Sequence, residues 1–203
     1  MTTYHPNLTL GEAVKEYFAA NHFGEDGGYN DRWVEVKLGP IPFYIPNTES
    51  RVRAVRYHDL HHVLTGYRTD LAGEFEISAW ELATGCADFY AAWWLNLLGL
   101  IGGLLIWPRR TVFAFLRGRR SKNLYREPYG PALLADTVGA ARTRLELANE
   151  AHGAMTGADG LSLLGYVLLG LPVAVVSALL GVALVPIALV QNAIGARRRE
   201  ATT

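Results

Sequence analysis

Residues 58–74 read HDLHHVLTGYRTDLAGE, and the fold turns on this stretch. On a helix, His58 and His62 lie four residues and about 40° apart, with Asp59 about 100° from His58, so three ligand-type side chains share one face. Gly66 reads as the stop of that helix, and Thr69 or Asp70 can cap the next. A helical hairpin at this point folds Glu74 back onto the histidine face. Two imidazoles and two carboxylates suit a divalent cation, zinc first, with iron, manganese and magnesium open because no thiolate forces the choice. A His-x-x-x-His pair alone is common on exposed charged helices. Asp59 and Glu74 strengthen the metal reading, because such groups gathered without a cation would repel or stay undersatisfied. His61 is read as a spare, an outer or surface group.

Two other motifs share these letters. His58, His61 and His62 spell the H-x-x-H-H box of membrane di-iron enzymes, but those need several boxes, and His5, His22 and His152 stand isolated. A His-Asp phosphohydrolase lacks its separate upstream histidine and later aspartate.

The chain of 203 residues is long enough for one domain with a hydrophobic core and an appendage. Its 19 Lys and Arg balance 19 Asp and Glu, which leaves no global field for nucleic acid, and Cys86 alone can form no internal disulfide. Met1 to Tyr17 has charges before any apolar run, the wrong order for a secretory signal. Residues 8–20 suggest a short helix, and Gly27, Gly28, Pro40, Pro42 and Pro46 mark an extended, turn-rich stretch, a loop or a frame around something. Residues 132–151 predict an amphipathic helix.

Two runs carry no charge, residues 89–108 and 161–196. The second has 36 residues, too many for one upright span and nearly enough for a tight hairpin, with Gly170, Pro172, Gly181 and Pro186 as places to bend. A hairpin also keeps the basic residues of 109–126 on the same side as Arg197–Arg199, as cytoplasmic arginines prefer. Phe89 to Trp107 is read as a buried or half-inserted helix, its Trp93 and Trp94 forming interfacial anchors or a wall for a long lipid. Arg117, Arg119 and Arg120 beyond it are candidates for anionic headgroups or an acidic substrate. The expected division is a helical domain over 1–155 and a hydrophobic, membrane-associated tail over 160–197.

The pattern His58-Asp59-x-x-His62, eleven residues, then Glu74 is the signature of the coenzyme Q biosynthesis protein four family, and HDLHHVLTG...TDLAGE resembles it closely. The resemblance covers about Leu8 to Asn149, including RGRRSKNL at 117–124, while the tail from 161 departs from the family pattern. It implies an all-α protein that binds a divalent ion through His58, Asp59, His62 and Glu74. It also implies docking on a membrane, the cytoplasmic face of a bacterial inner membrane or its equivalent, to handle prenylated quinone precursors. The implied activity is oxidative decarboxylation of a polyprenylated hydroxybenzoate ring, carboxyl to hydroxyl, in ubiquinone biosynthesis. Two alternatives stay open: a non-catalytic lipid-binding scaffold for other quinone-biosynthesis enzymes, and a metallohydrolase of isoprenoid phosphates. Homodimerisation is also left open, and no nucleic acid is expected.

Overall fold

The computed structural model describes residues 3–38, 41–147 and 154–200. The chain is mostly helical. Helix α1 (Leu10–Asn21) begins in a capping box: the Thr9 hydroxyl accepts from the Glu12 N–H, and the Glu12 carboxylate accepts from the Thr9 N–H. Leu10, Ala13, Val14, Tyr17 and Phe18, spaced by three and four, form its buried stripe.

An antiparallel pair follows, β1 (Trp33–Leu38) with β2 (Ile41–Pro46), registered from Trp33↔Pro46 to Leu38↔Ile41. The extended stretch at Pro42 and Pro46 is therefore one strand of a ribbon, Pro40 lies outside the described residues, and the protein is not purely α-helical. A two-stranded ribbon has an open edge on each strand, where a proline without an N–H breaks no ladder bond.

Helix α2 (Glu49–Thr65) is capped by Thr48 and ends at Gly66, whose φ of 77° is the left-handed conformation that glycine adopts without strain. Helix α3 (Leu71–Thr84) is capped by Asp70, which accepts the Gly73 N–H at 2.9 Å. The tight reversal depends on Gly73, where a Cβ would lie 2.0 Å from the Arg68 carbonyl oxygen. Helix α3 packs on α4 (Tyr90–Ile106) and α5 (Pro108–Gly118). Small residues bring these axes close: Gly99 faces Ser78, and Gly118 faces the Trp80 backbone. Leu60, Leu64, Ile77, Trp80, Leu82, Leu100 and Phe115 fill the core.

The helix predicted over 132–151 is instead two short ones, α6 (Pro131–Leu134) and α7 (Val138–Arg144). Thr137 restarts the helix by capping the Ala140 N–H, and Glu146, at φ 61°, ends the second run. Residues 148–151 of that expectation lie outside the described residues.

The largest departure is the tail. No hairpin forms; Gly157–Glu200 is one helix, α8, with Pro172 and Pro186 inside it. An internal proline removes one hydrogen bond and kinks a helix, but reversing the chain takes a turn of residues outside helical geometry, and this leucine-, valine- and alanine-rich run offers no such turn. Gly157–Pro186 is long and apolar enough to cross a membrane, with mean hydropathy 2.6 over an 18-residue window. Its first turn is pinned where Asp159 meets Arg119 and Arg120. Beyond that, Tyr166 stacks on Trp93, and Gly170 presses on Ile101 and Leu97, so α8 runs alongside α4 in the same direction.

Helix α4 is half-buried against the rest of the chain. Ala92, Asn96, Leu97, Gly99 and Leu100 face inward, while Tyr90, Trp94, Leu95, Leu105 and Ile106 are exposed.

Candidate metal centre

The α2–α3 reversal sets two facing stripes. His58, His61 and His62 lie on one side of α2; Glu74 and Glu81, seven residues apart, lie on one side of α3 because seven residues are within about 20° of two full turns. The Nε2 atoms of His58 and His62 are 3.1 Å apart. Glu74 closes the triangle, one oxygen 3.4 Å from His58 Nε2 and the other 3.3 Å from His62 Nε2.

The backs of the rings fix their tautomers. His62 Nδ1 faces the Tyr67 carbonyl at 2.9 Å, and His58 Nδ1 faces Glu81 Oε1 at 3.0 Å. A carbonyl and a carboxylate only accept, so both Nδ1 atoms carry the hydrogen and both Nε2 atoms present lone pairs. Three acceptors thus converge, and only a cation or an added proton satisfies them. Their separations of 3.1, 3.3 and 3.4 Å match the edge of a tetrahedron. For metal–ligand bonds of about 2.0–2.1 Å that edge is about 3.3–3.4 Å. His58, His62 and Glu74 form a group able to hold a metal ion.

Electrostatics agree with the geometry. Burial alone would lower the His58 pKa, but the Glu81 charge and hydrogen bonds with Glu74 and Glu81 outweigh it and hold the ring well above its ordinary value. Burial would raise Glu74, yet with an added proton on the rings their hydrogen bonds and charge hold it well below the usual carboxylate range.

Asp59 stands apart from the three. Its oxygens accept from the Tyr29 hydroxyl at 2.6 Å and the Tyr17 hydroxyl at 3.3 Å. Burial raises its pKa against the pull of these bonds and of the two histidines. It is not part of the close group that the other three form.

A cavity of about 620 Å³ contains His58, Asp59 and Glu74 and extends to Leu95 and Leu98 on α4. That volume is within the usual range for small-molecule sites, about 300–1,000 Å³. Arg51 is its one arginine or lysine among the described lining residues, and its guanidinium donates to Asn47 at 2.7 Å. Behind His62 lies a smaller, polar cavity of about 370 Å³, bordered by Tyr17, Asn21 and Asp70.

No family model, curated protein or solved structure matches this chain.

Of the residues singled out for lipid or anion contact, Trp94 is 42% exposed, whereas Trp93 donates to the Ala87 carbonyl and stacks on Tyr166. The three arginines are engaged within the chain. Arg117 donates to the Thr65 carbonyl and lies over the Tyr67 ring, and Arg119 and Arg120 hold Asp159. They act as struts between α5 and its neighbours.

Sequence reasoning missed Glu81, Asn96, Tyr125, Tyr17, Tyr29 and Arg51, and took His61 for a spare. His61 is fully buried, with Nδ1 donating to Glu81 at 2.7 Å and Nε2 accepting the Leu124 N–H at 3.0 Å. The seven-residue step from Glu74 to Glu81 was the available signal, since it puts both acids on the side of α3 that meets the histidines.

Proposed function

We propose that the chain binds one divalent cation at His58, His62 and Glu74 and acts at a membrane on an amphiphile with an anionic ring headgroup. The observation that carries this is the convergence of His58, His62 and Glu74 on one point, with His58 and Glu74 lining a cavity that also reaches exposed leucines of α4. Asp59 joins the set by the resemblance to the coenzyme Q biosynthesis protein four family, held in place by the Tyr17 and Tyr29 hydroxyls.

That resemblance supplies the reaction, oxidative decarboxylation of a polyprenylated hydroxybenzoate. Replacing carboxyl by hydroxyl releases carbon dioxide and consumes an oxidant, which comes from solution or from a partner. A bound cation would serve as a Lewis acid for the headgroup oxygens. Arg51 offers a second charge to orient the anion, and the apolar wall at Ala91, Leu95 and Leu98 takes the start of the prenyl tail. A phosphate-hydrolysing alternative has less support, because Arg117, Arg119 and Arg120 are already occupied.

The test is metal analysis of the purified chain together with a ring-decarboxylation assay in cells lacking the native activity. Wild-type protein is expected to carry one metal per chain and restore turnover, and His62→Ala to do neither. Full turnover by a metal-free His62→Ala variant would end the proposal.

A further inference from the structure

Glu81 is the most completely enclosed charge near the site, its side chain 1% exposed. Oε1 accepts from His58 Nδ1 at 3.0 Å and from His61 Nδ1 at 2.7 Å. Oε2 accepts from Asn96 Nδ2 at 2.6 Å and from the Tyr125 hydroxyl at 2.8 Å. The donors come from α2, from α4 and from the segment after α5, so both oxygens are saturated and the carboxylate cannot rotate.

Such a knot could serve only to tie helices together. Two details point further. The atom it takes from His58 is the ring nitrogen opposite the one that faces Glu74 and His62. The second donor on the same oxygen, His61, has no freedom of its own: its Nε2 accepts the Leu124 N–H, so its only hydrogen is on Nδ1 and points at Glu81. With both donors directed at Oε1, His58 is held in the tautomer and orientation that expose Nε2 as a ligand.

We infer that Glu81 is the positioning residue of the metal centre, with His61, Asn96 and Tyr125 holding it in register, so that cation affinity is set from behind His58. This rests on the metal reading above. Glu81 does not touch the ion; it acts through His58. An amide at this position has one accepting oxygen and no charge: with its nitrogen toward the histidines it meets two donors, and with its oxygen there it accepts from His58 without the carboxylate's charge, so the hold on the His58 ring weakens either way.

The experiment is cobalt(II) titration of the full chain in detergent, following the visible d–d band and a melting curve, for wild type, Glu81→Gln, Tyr125→Phe and the control Glu76→Gln. Glu76 pairs with Arg110 on the same helix, away from the triad. Wild type and the control should bind alike. Glu81→Gln should lose about 10- to 100-fold in affinity, with a changed band. Tyr125→Phe, which removes one hydroxyl from Glu81 and leaves His58 untouched, should lose several-fold and decides the matter where Glu81→Gln does not fold. Lower melting temperatures with wild-type affinity and band in the folded variants would overturn the inference and leave Glu81 as a helix tie only. A wild-type chain that takes up no cobalt overturns the underlying metal reading instead.

Discussion

His58 and His62 turn their Nε2 atoms toward each other at 3.1 Å, with no hydrogen to place between them while both rings are neutral. Two lone pairs at that distance repel, so the pair holds its shape only around a cation or by taking an extra proton.

Removing a corner should abolish binding. His62→Ala and Glu74→Gln are each expected to lose more affinity than the roughly 10- to 100-fold typical of outer-sphere changes. Inductively coupled plasma analysis of purified protein would read well under one metal per chain.

Protonation should compete with metal. With its pKa raised above the ordinary 6.5, metal-free His58 keeps an added proton to higher pH than a free imidazole does, and loading must expel that proton wherever it is held. Affinity should rise about tenfold per pH unit below the His58 pKa and flatten above it, with about one proton released per metal by calorimetry in buffers of different ionisation enthalpy. For the metal-free fold, the raised His58 stabilises fully below 6.5 and loses that contribution as pH climbs through its folded value. The lowered Glu74 stabilises above 4.5 and loses it as pH falls through its folded value, so thermal stability should be greatest between those two limits.

Tyr29→Phe removes the 2.6 Å bond to buried Asp59. The loss of an acceptor's partner in a buried charged pair should lower unfolding free energy by about 1–3 kcal/mol in denaturant titrations.

Gly99→Ala should also destabilise, because its new methyl would lie 2.3 Å from Ser78 Oγ and 2.6 Å from Ser78 Cβ. Separating α3 from α4 is expected to cost about 1–3 kcal/mol, and Ser78→Gly should restore part of it.

Leu180→Arg with Leu184→Arg places charge midway along the exposed apolar part of α8. At a bilayer centre each arginine costs about 2.5–3.5 kcal/mol, so the double variant should shift from the alkali-resistant membrane pellet to the supernatant. Unchanged pelleting would show that α8 does not anchor the chain.

The helical hairpin was legible because its signals are local: Gly66 ends one helix, Asp70 caps the next, and Glu74 returns one turn later. Glu81, Asn96 and Tyr125 were not, because the pocket joining them forms only when α2, α3, α4 and the segment after α5 meet, and single-sequence periodicity carries no such long-range pairing. Arg117, Arg119 and Arg120 looked like a surface for anions because their partners, Thr65 and Asp159, lie about 40 to 50 positions away. The tail was read as bent because glycine and proline punctuate loops; inside a long apolar run, the helix runs through them.

Helix α8 is 44 residues long, about 66 Å, roughly twice the hydrocarbon thickness of a bilayer. Its opening turns, through Gly170, are held against α4. From Val173 to Ala196 no ionisable side chain intervenes, and those 24 positions reach about 36 Å. In a lipid sheet this rod would work as a plumb line, fixing how far the mouth of the cavity at His58 and Glu74 hangs from the headgroups.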